Sequence, residues 1–174
     1  MAADTTTSRA PDARFLVGHP AHFIALGFGA GLAPRAPGTF GTLAAIPLYW
    51  GLALFLPPLV IAFLAIPLFF LGVWACERTG RDLGVSDHGA MVFDEIVAFL
   101  PLLAVSSQAW WLQLIAFALF RLFDIWKPPP IRELEKRVKG GLGVMIDDVV
   151  AAFYAYIVFV LIIVVGYKIL GVAW

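Results

Sequence analysis

Two pairs of adjacent carboxylates stand at the starts of long apolar stretches that carry no charge. The pairs are Asp94 with Glu95 and Asp147 with Asp148. Neighbouring carboxylates are costly at the edge of an apolar segment unless they are ion-paired, protonated or bound to a cation. Their oxygen atoms are the ligands that a hard divalent cation such as Mg²⁺ prefers. The pairs therefore predict a metal site. The alternative for the first pair is that Asp94 caps a helix while Glu95 is solvated.

The second pair follows a glycine-rich segment, Gly140–Gly143, that opens a helix. Because consecutive residues on a helix point about 100° apart, the two carboxylates face different directions. We therefore expect one of Asp147 and Asp148 to bind the metal while the other holds a neighbouring side chain or a water molecule.

A third carboxylate stands among basic residues at the end of an apolar run. Arg121 and Asp124, three residues apart, share a helix face, and the prolines after Lys127 end that helix. An arginine, an aspartate and a lysine at one helix end suit a phosphate group together with a metal ion. The alternative is an ordinary salt bridge with Lys127 extending towards water.

A glycine- and proline-rich loop, Gly27–Thr42, leads into the first apolar helix. Glycine lets backbone amides approach an anion, and a helix N-terminus adds free N–H groups. Gly38 and Thr39 are therefore candidate phosphate-binding residues, and Thr39 or Thr42 could instead cap the helix. The alternative is a plain membrane-entry loop, because Walker spacing is absent. His88 is the remaining phosphate-binding candidate, its alternative being an ordinary loop histidine.

The composition indicates a membrane protein. Hydrophobic residues make up 61% of the chain and charged residues 14%, with a mean hydropathy of +0.91, whereas soluble domains carry roughly 25% charged residues. The formal net charge of zero gives no basic excess for nucleic acid. We predict an all-α, polytopic membrane bundle of unspecified oligomeric state.

Two uncharged runs are long enough to fix membrane crossings. Residues 36–76 would extend roughly 60 Å as a helix, about twice the thickness of a bilayer core. This run must cross twice, and Pro57–Pro58 marks the turn because proline cannot continue a helix. The run 149–167 suits one further crossing.

The run 96–120 could be one tilted span or a re-entrant hairpin broken at Ser106–Gln108. Arg78 and Arg81 precede it and a larger basic cluster follows it. A single crossing would place these basic groups on opposite faces, against the positive-inside rule. The hairpin is therefore predicted, and it brings all three acidic segments to one cytoplasmic rim.

The chain divides into two parts by composition. Residues 1–20 form a polar tail that is predicted to be disordered and that lacks the apolar core of a secretory signal. Residues 21–174 are predicted to form a single membrane-embedded domain.

Four motifs occur in an order that resembles the phosphatidylglycerophosphatase A family of bacteria. They are Gly31–Thr42, Asp87–Glu95, Phe120–Arg132 and Gly140–Asp148. The resemblance covers about residues 23–165. It implies a Mg²⁺-dependent phosphatase of the bacterial inner membrane that converts phosphatidylglycerophosphate to phosphatidylglycerol, with its site facing the cytoplasm.

The resemblance also implies the site residues. The acidic positions of the family map to the catalytic and metal-binding candidates Asp94, Glu95, Asp124, Asp147 and Asp148. Their basic companions are Arg121 and Lys127, which are expected to clamp the phosphate oxygens. We expect attack by a water molecule that the metal activates, the alternative being an aspartyl-phosphate intermediate.

Two other classes of protein share some of these features. A small cation transporter or channel could carry carboxylates at its rim, but a conduction path needs polar groups near the midplane, where these runs have no charge. A CDP-alcohol phosphotransferase also uses clustered aspartates. Its acids lie in one helical motif, whereas here they are split among three segments.

Overall fold

The computed structural model describes residues 10–106 and 108–170, and every regular element among them is helical. This confirms the all-α prediction. The α-helices are α1 (Ala13–Gly18), α2 (Pro20–Ala25), α3 (Pro37–Ala53), α4 (Pro58–Leu83), α5 (Phe93–Val105), α6 (Trp110–Trp126), α7 (Ile131–Arg137) and α8 (Gly140–Leu170). A kinked 3₁₀ segment, Gly27–Leu32, lies between α2 and α3.

Helix α1 lies inside the range that the sequence analysis assigned to a disordered tail. The carboxylate of Asp12 accepts a hydrogen bond from the Phe15 N–H and so caps this helix. Ordered structure therefore begins before residue 21, and Phe15 and Leu16 of α1 pack against the buried core. Residues 1–9 lie outside the described residues, and the single domain over residues 21–174 stays a prediction.

The proline pair marks the boundary between α3 and α4, as predicted. Helix α3 ends at Ala53, and α4 begins with Pro58 at its first position. Proline is tolerated there because the first N–H groups of a helix have no partner within that helix.

Two helices in the described part of the chain are long and apolar enough to cross a membrane. They are α4, with 26 residues, and the first 30 residues of α8, whose most apolar 18-residue windows have mean hydropathies of 2.6 and 2.8. Only 22% and 17% of their most apolar windows are buried. Their side chains therefore face outward to a much greater degree than those of a soluble core helix.

The run 96–120 is broken into two helices at the predicted place. Helix α5 ends at Val105 and α6 begins at Trp110. Glu95 at the start of α5 contacts Arg121 near the end of α6, with Oε1 and Nη1 2.9 Å apart. The two helices therefore return to the same end of the molecule as a hairpin.

Helix α5 is the central element of the fold. Ten of its 13 residues are buried, and it packs against α3, α4 and α8. Phe99 of α5 stacks on Phe120 of α6 with ring centroids 5.4 Å apart, and Tyr49 of α3 is buried in the same core. This central position places the first turn of α5, with its two carboxylates, inside the protein.

Candidate active site

Three helices bring the five predicted carboxylates together at one end of the bundle. Asp94 and Glu95 come from α5, Asp124 from α6, and Asp147 and Asp148 from α8. Four of them are less than 10% exposed, and the side chain of Asp124 is 12% exposed. The charges of Asp94, Asp124 and Asp147 all act on Asp148. The acids that lie apart in sequence thus form one buried cluster, which we call the carboxylate cluster.

Arg121 ties three helices together at the centre of this cluster. Its Nη1 donates to Glu95 Oε1 at 2.9 Å and pairs with Asp124 Oδ2 at 2.7 Å. The same atom donates to the hydroxyl of Thr42 on α3 at 3.3 Å. Its Nε is buried without a hydrogen-bond partner among the described residues, so the guanidinium keeps a donor for a further anion.

Lys127 joins the end of α6 to α8. It adopts a left-handed backbone conformation, with φ of 46°, directly after the last turn of α6. Its Nζ donates to Asp147 Oδ2 at 2.8 Å and lies 3.3 Å from Glu135 Oε1 on α7. Burial lowers the pKa of Lys127, but the hydrogen bond and charge of Asp147 outweigh it and raise the pKa above its usual value. The ammonium therefore stays charged.

The first acidic pair is held in a poorly solvated position. Burial raises the pKa of Glu95 to about 7, against the opposing effect of Arg121. Burial, followed by the charges of Glu95 and Asp147, raises the pKa of Asp94 well above its usual value. Both shifts arise because ionised carboxylates lose water contacts without gaining enough positive charge.

The cluster has more negative than positive groups, and this tests whether a metal ion suits it. Five carboxylates face only two cations, and Glu95 Oε2 and Asp148 Oδ2 are buried without hydrogen-bond partners among the described residues. Bare, hard oxygen donors with surplus negative charge fit Mg²⁺ in their chemistry. In the described part of the chain, however, no three acidic, histidine or cysteine side chains are arranged as a ready-made metal site. Glu95 and Asp147 point instead to Arg121 and Lys127.

The start of α3 is pressed against the Glu95 carboxylate. A Cβ atom added at Gly38 or Gly41 would collide with that carboxylate, so only glycine permits this approach. The hydroxyl of Thr42 donates to the Gly38 carbonyl at 3.0 Å. Gly38 thus belongs to the site, and the observed reason is close packing of α3 against α5.

The remaining phosphate-binding candidates are Thr39 and His88. Thr39 is in the first turn of α3, but it is Thr42, one turn later, whose hydroxyl meets Arg121. His88 accepts a hydrogen bond at Nδ1 from the Ala90 N–H, 3.1 Å away, within the turn before α5. As phosphate ligands, Gly38, Thr39 and His88 stay predictions.

Sequence reasoning missed the residue that fixes the start of α8. The Oε2 atom of Glu77 on α4 accepts a hydrogen bond from the Gly141 N–H at 2.8 Å. Helix α8 opens with glycines and has no Ser, Thr, Asp or Asn at the usual capping position. That missing cap is the signal that another element must supply an acceptor. Asp147 and Asp148 follow within two turns, so Glu77 also bears on their position.

Comparisons with known proteins show which family this chain resembles. The family model described as phosphatidylglycerophosphatase A matches residues 23–163. A phosphatidylglycerophosphatase A of Escherichia coli is 43% identical over 79% of this chain and 80% of its own length. The Haemophilus influenzae protein of that name is 47% identical over 80% of this chain and 86% of its own length. A Bacteroides thetaiotaomicron relative, provisionally named a phosphatidylinositol-3-phosphatase, is 42% identical over 77% and 87%. No solved structure gives a significant match.

Proposed function

Because the chain belongs to the phosphatidylglycerophosphatase A family, we propose that it removes the terminal phosphate of phosphatidylglycerophosphate. The products are phosphatidylglycerol and inorganic phosphate, in phospholipid biosynthesis. The chain is a phosphatase, as its relatives are named. The observation that carries the proposal is the buried carboxylate cluster, with Arg121 and Lys127 inside it, beside two apolar helices that suit a membrane.

The two cations of the cluster suit the phosphate of a lipid. A phosphate monoester is close to a dianion at neutral pH, and its acyl chains remain in the membrane. Arg121 can offer a planar fork to two phosphate oxygens, while Lys127 acts as a compact charge. Their carboxylate partners hold both side chains in place before the substrate arrives. This preorganisation reduces the ordering cost of substrate binding.

The carboxylates suit Mg²⁺ as the cofactor. Asp94, Glu95, Asp124, Asp147 and Asp148 are the residues that would hold it. When bound, the cation would supply positive charge to the phosphoryl oxygens and make a water molecule more acidic. We propose that water attacks phosphorus while a carboxylate of the cluster takes its proton. The bond between phosphorus and the glycerol oxygen breaks, and the departing oxygen takes up a proton to leave as the alcohol of phosphatidylglycerol. Attack by an aspartate to form an aspartyl phosphate is the alternative.

The cluster also supports a proposal for membrane placement. We place α3, α4 and α8 across the bacterial inner membrane, with the α5–α6 hairpin entering and leaving on the cytoplasmic side. The contact between Glu95 and Arg121 supports this arrangement because both ends of the hairpin then lie on one side. Single cysteines at Ser86 and Glu133, in a Cys76→Ser background, should react with an impermeant thiol reagent from the cytoplasmic side only. Labelling from opposite faces would contradict the hairpin.

The reaction is tested by phosphate release from purified protein in detergent. Phosphatidylglycerophosphate should be hydrolysed, a chelator should abolish the activity, and added Mg²⁺ should restore it. Phosphatidylinositol 3-phosphate and a soluble phosphomonoester serve as comparison substrates. Full activity in excess chelator would exclude the metal, and preference for either comparison substrate would exclude the proposed reaction. A cation transporter, the alternative from the sequence, is not favoured because the relatives are phosphatases.

A further inference from the structure

An open apolar groove runs between α4, α5 and α8. Its volume is about 550 Å³, and no charged residue lines it. Val97 and Ala98 of α5 form part of its buried floor, whereas Phe70 and Phe153 on its rim are more than 60% exposed. Ligand sites of this size, about 300–1,000 Å³, are typically apolar with a few polar groups at one end.

Two of the helix faces that line this groove lead back to the carboxylate cluster. Asp94, Ala98 and Leu102 are spaced four residues apart on α5, and Asp148, Ala152 and Tyr156 have the same spacing on α8. Residues at this spacing share a helix face, about 6 Å further along the axis at each step. All four apolar members of these two series line the groove. Both helix faces therefore lead directly from an acid of the cluster into the groove.

We propose that this groove binds an acyl chain of the lipid whose phosphate lies at the carboxylate cluster. The inference rests on the proposed function and extends it to a lipid-tail site. Three observations identify the occupant. The lining is uncharged, it includes residues of both helices that suit a membrane, and its residues Ala98 and Ala152 lie one helical turn after Asp94 and Asp148.

The dimensions of the groove favour a thin chain over a helix from a second copy of the protein. A helix is about 10 Å wide, so roughly one turn would fill the available volume. An acyl chain is thinner and can follow the groove away from the cluster. Because lipid tails are already in apolar surroundings, the groove adds little to net affinity. Its contribution is to position the phosphate at the cluster.

Substitutions that fill the groove test this inference. Ala152→Phe on α8 and Ala62→Phe on α4 introduce large rings at two lining positions that are only partly buried. Leu161→Phe is the matched control, because Leu161 is 56% exposed on α8 and lies outside the groove lining. Each variant is assayed in the same detergent on dioleoyl and on dihexanoyl phosphatidylglycerophosphate, with thermal unfolding as the check on folding.

We expect kcat/KM on the dioleoyl substrate to fall at least tenfold in both groove variants. Activity on the dihexanoyl substrate should stay within twofold, because a short chain does not extend along the groove. The control should match the wild type on both. Equal losses on both substrates, or no loss on either, would overturn the inference.

A second measurement separates this inference from the proposed function. Dioleoyl phosphatidylglycerophosphate and a phosphatidylcholine, each with a diazirine in one acyl chain, are photo-crosslinked to the protein. The first lipid should label the groove-lining parts of α4 and α8 in the wild type and not in Ala152→Phe, and the second should label them less. Equal labelling by both lipids, or labelling of other surfaces, overturns the groove as a substrate site. Absence of hydrolysis in the wild type overturns the proposed reaction alone.

Discussion

Two groups of ionic side chains in the described part of the chain differ in burial and in charge balance. One is the carboxylate cluster. The other, which we call the α2–α4 cluster, consists of His22, Arg78 and Asp82. Asp82 Oδ2 accepts from His22 Nε2 at 2.8 Å and from Arg78 Nε at 2.9 Å. The side chains of Arg78 and Asp82 are 51% and 30% exposed.

The same residue types therefore have different consequences in the two places. In the α2–α4 cluster one carboxylate accepts hydrogen bonds from two donors and keeps contact with solvent. Its charge therefore needs no metal ion or substrate to balance it. In the carboxylate cluster four buried acids and the partly buried Asp124 share two cations, and two of their oxygens lack hydrogen bonds among the described residues. Buried, unbalanced charge is costly in folding, and it is retained where a substrate or metal uses it. We therefore propose that the carboxylate cluster carries out the chemistry and that the α2–α4 cluster stabilises the fold.

The largest effect is expected from neutralising one acid in each cluster. Asp94→Asn and Asp148→Asn keep the side-chain size and remove a ligand charge. Each should lower turnover by a hundredfold or more, about 3 kcal/mol of barrier. Asp82→Asn in the α2–α4 cluster is the matched control and should stay within threefold.

The unfolding temperatures of the same variants test the comparison independently of activity. The two variants in the carboxylate cluster relieve repulsion between buried acids, so their unfolding temperatures in metal-free buffer should equal or exceed that of the wild type. Asp82→Asn keeps an acceptor oxygen but removes the carboxylate charge that faces Arg78, so it should unfold slightly earlier than the wild type. Normal turnover in both Asn variants would place the reaction elsewhere.

A smaller effect is expected from changing arginine to lysine. In Arg121→Lys an ammonium replaces the fork that now holds Glu95, Asp124 and Thr42 together, and kcat/KM should fall at least tenfold. Arg78→Lys should change activity less than twofold, because the pair of Arg78 with Asp82 is exposed. Similar losses in the two variants would contradict the distinction between the clusters.

The two threonines of α3 test which hydroxyl supports the site. Thr42→Val removes the group that contacts Arg121 and the Gly38 carbonyl, while shape is preserved. We expect a three- to tenfold fall in kcat/KM. Thr39→Val changes a neighbouring hydroxyl for which no contact with Arg121 is seen, and it should have a smaller effect. A larger loss of kcat/KM in Thr39→Val than in Thr42→Val would instead support Thr39 as the phosphate ligand.

Features of the fold that depend on local sequence were predictable. The turn before Pro58 follows from the chemistry of proline, and the break between Val105 and Trp110 occurs at the polar interruption of an apolar run. The acids at the start of α5 and α8 were visible because charge is rare in this chain. In each case a few neighbouring residues carry the whole signal.

Features that depend on contacts between distant segments could not be predicted from local sequence. The approach of Gly38 to Glu95 joins residues 57 positions apart, and glycines in a loop are equally compatible with anion binding. Choosing Thr42 over Thr39 required the position of Arg121 on another helix. Tertiary packing decides such cases because neighbouring residues on one helix have nearly equal local propensities.

The smallest effect is expected at Glu77, which lies near the α2–α4 cluster and also fixes the start of α8. Its Oε1 pairs with Arg81, an exposed interaction, while Oε2 accepts the Gly141 N–H. Glu77→Ala leaves that N–H without its acceptor and should destabilise the protein by about 1 kcal/mol, as loss of a helix cap does.

Two further variants separate the cap from the ion pair. Glu77→Gln retains an acceptor oxygen and should recover most of the lost stability, whereas Arg81→Gln removes only the exposed pair and should be nearly neutral. Thermal unfolding in detergent measures all three. If the cap also positions Asp147 and Asp148, then Glu77→Ala should lower kcat a few-fold and Glu77→Gln should restore it. Equal stability of Glu77→Ala and Arg81→Gln would show that α8 begins correctly without help from α4, and that its acids are positioned by packing alone.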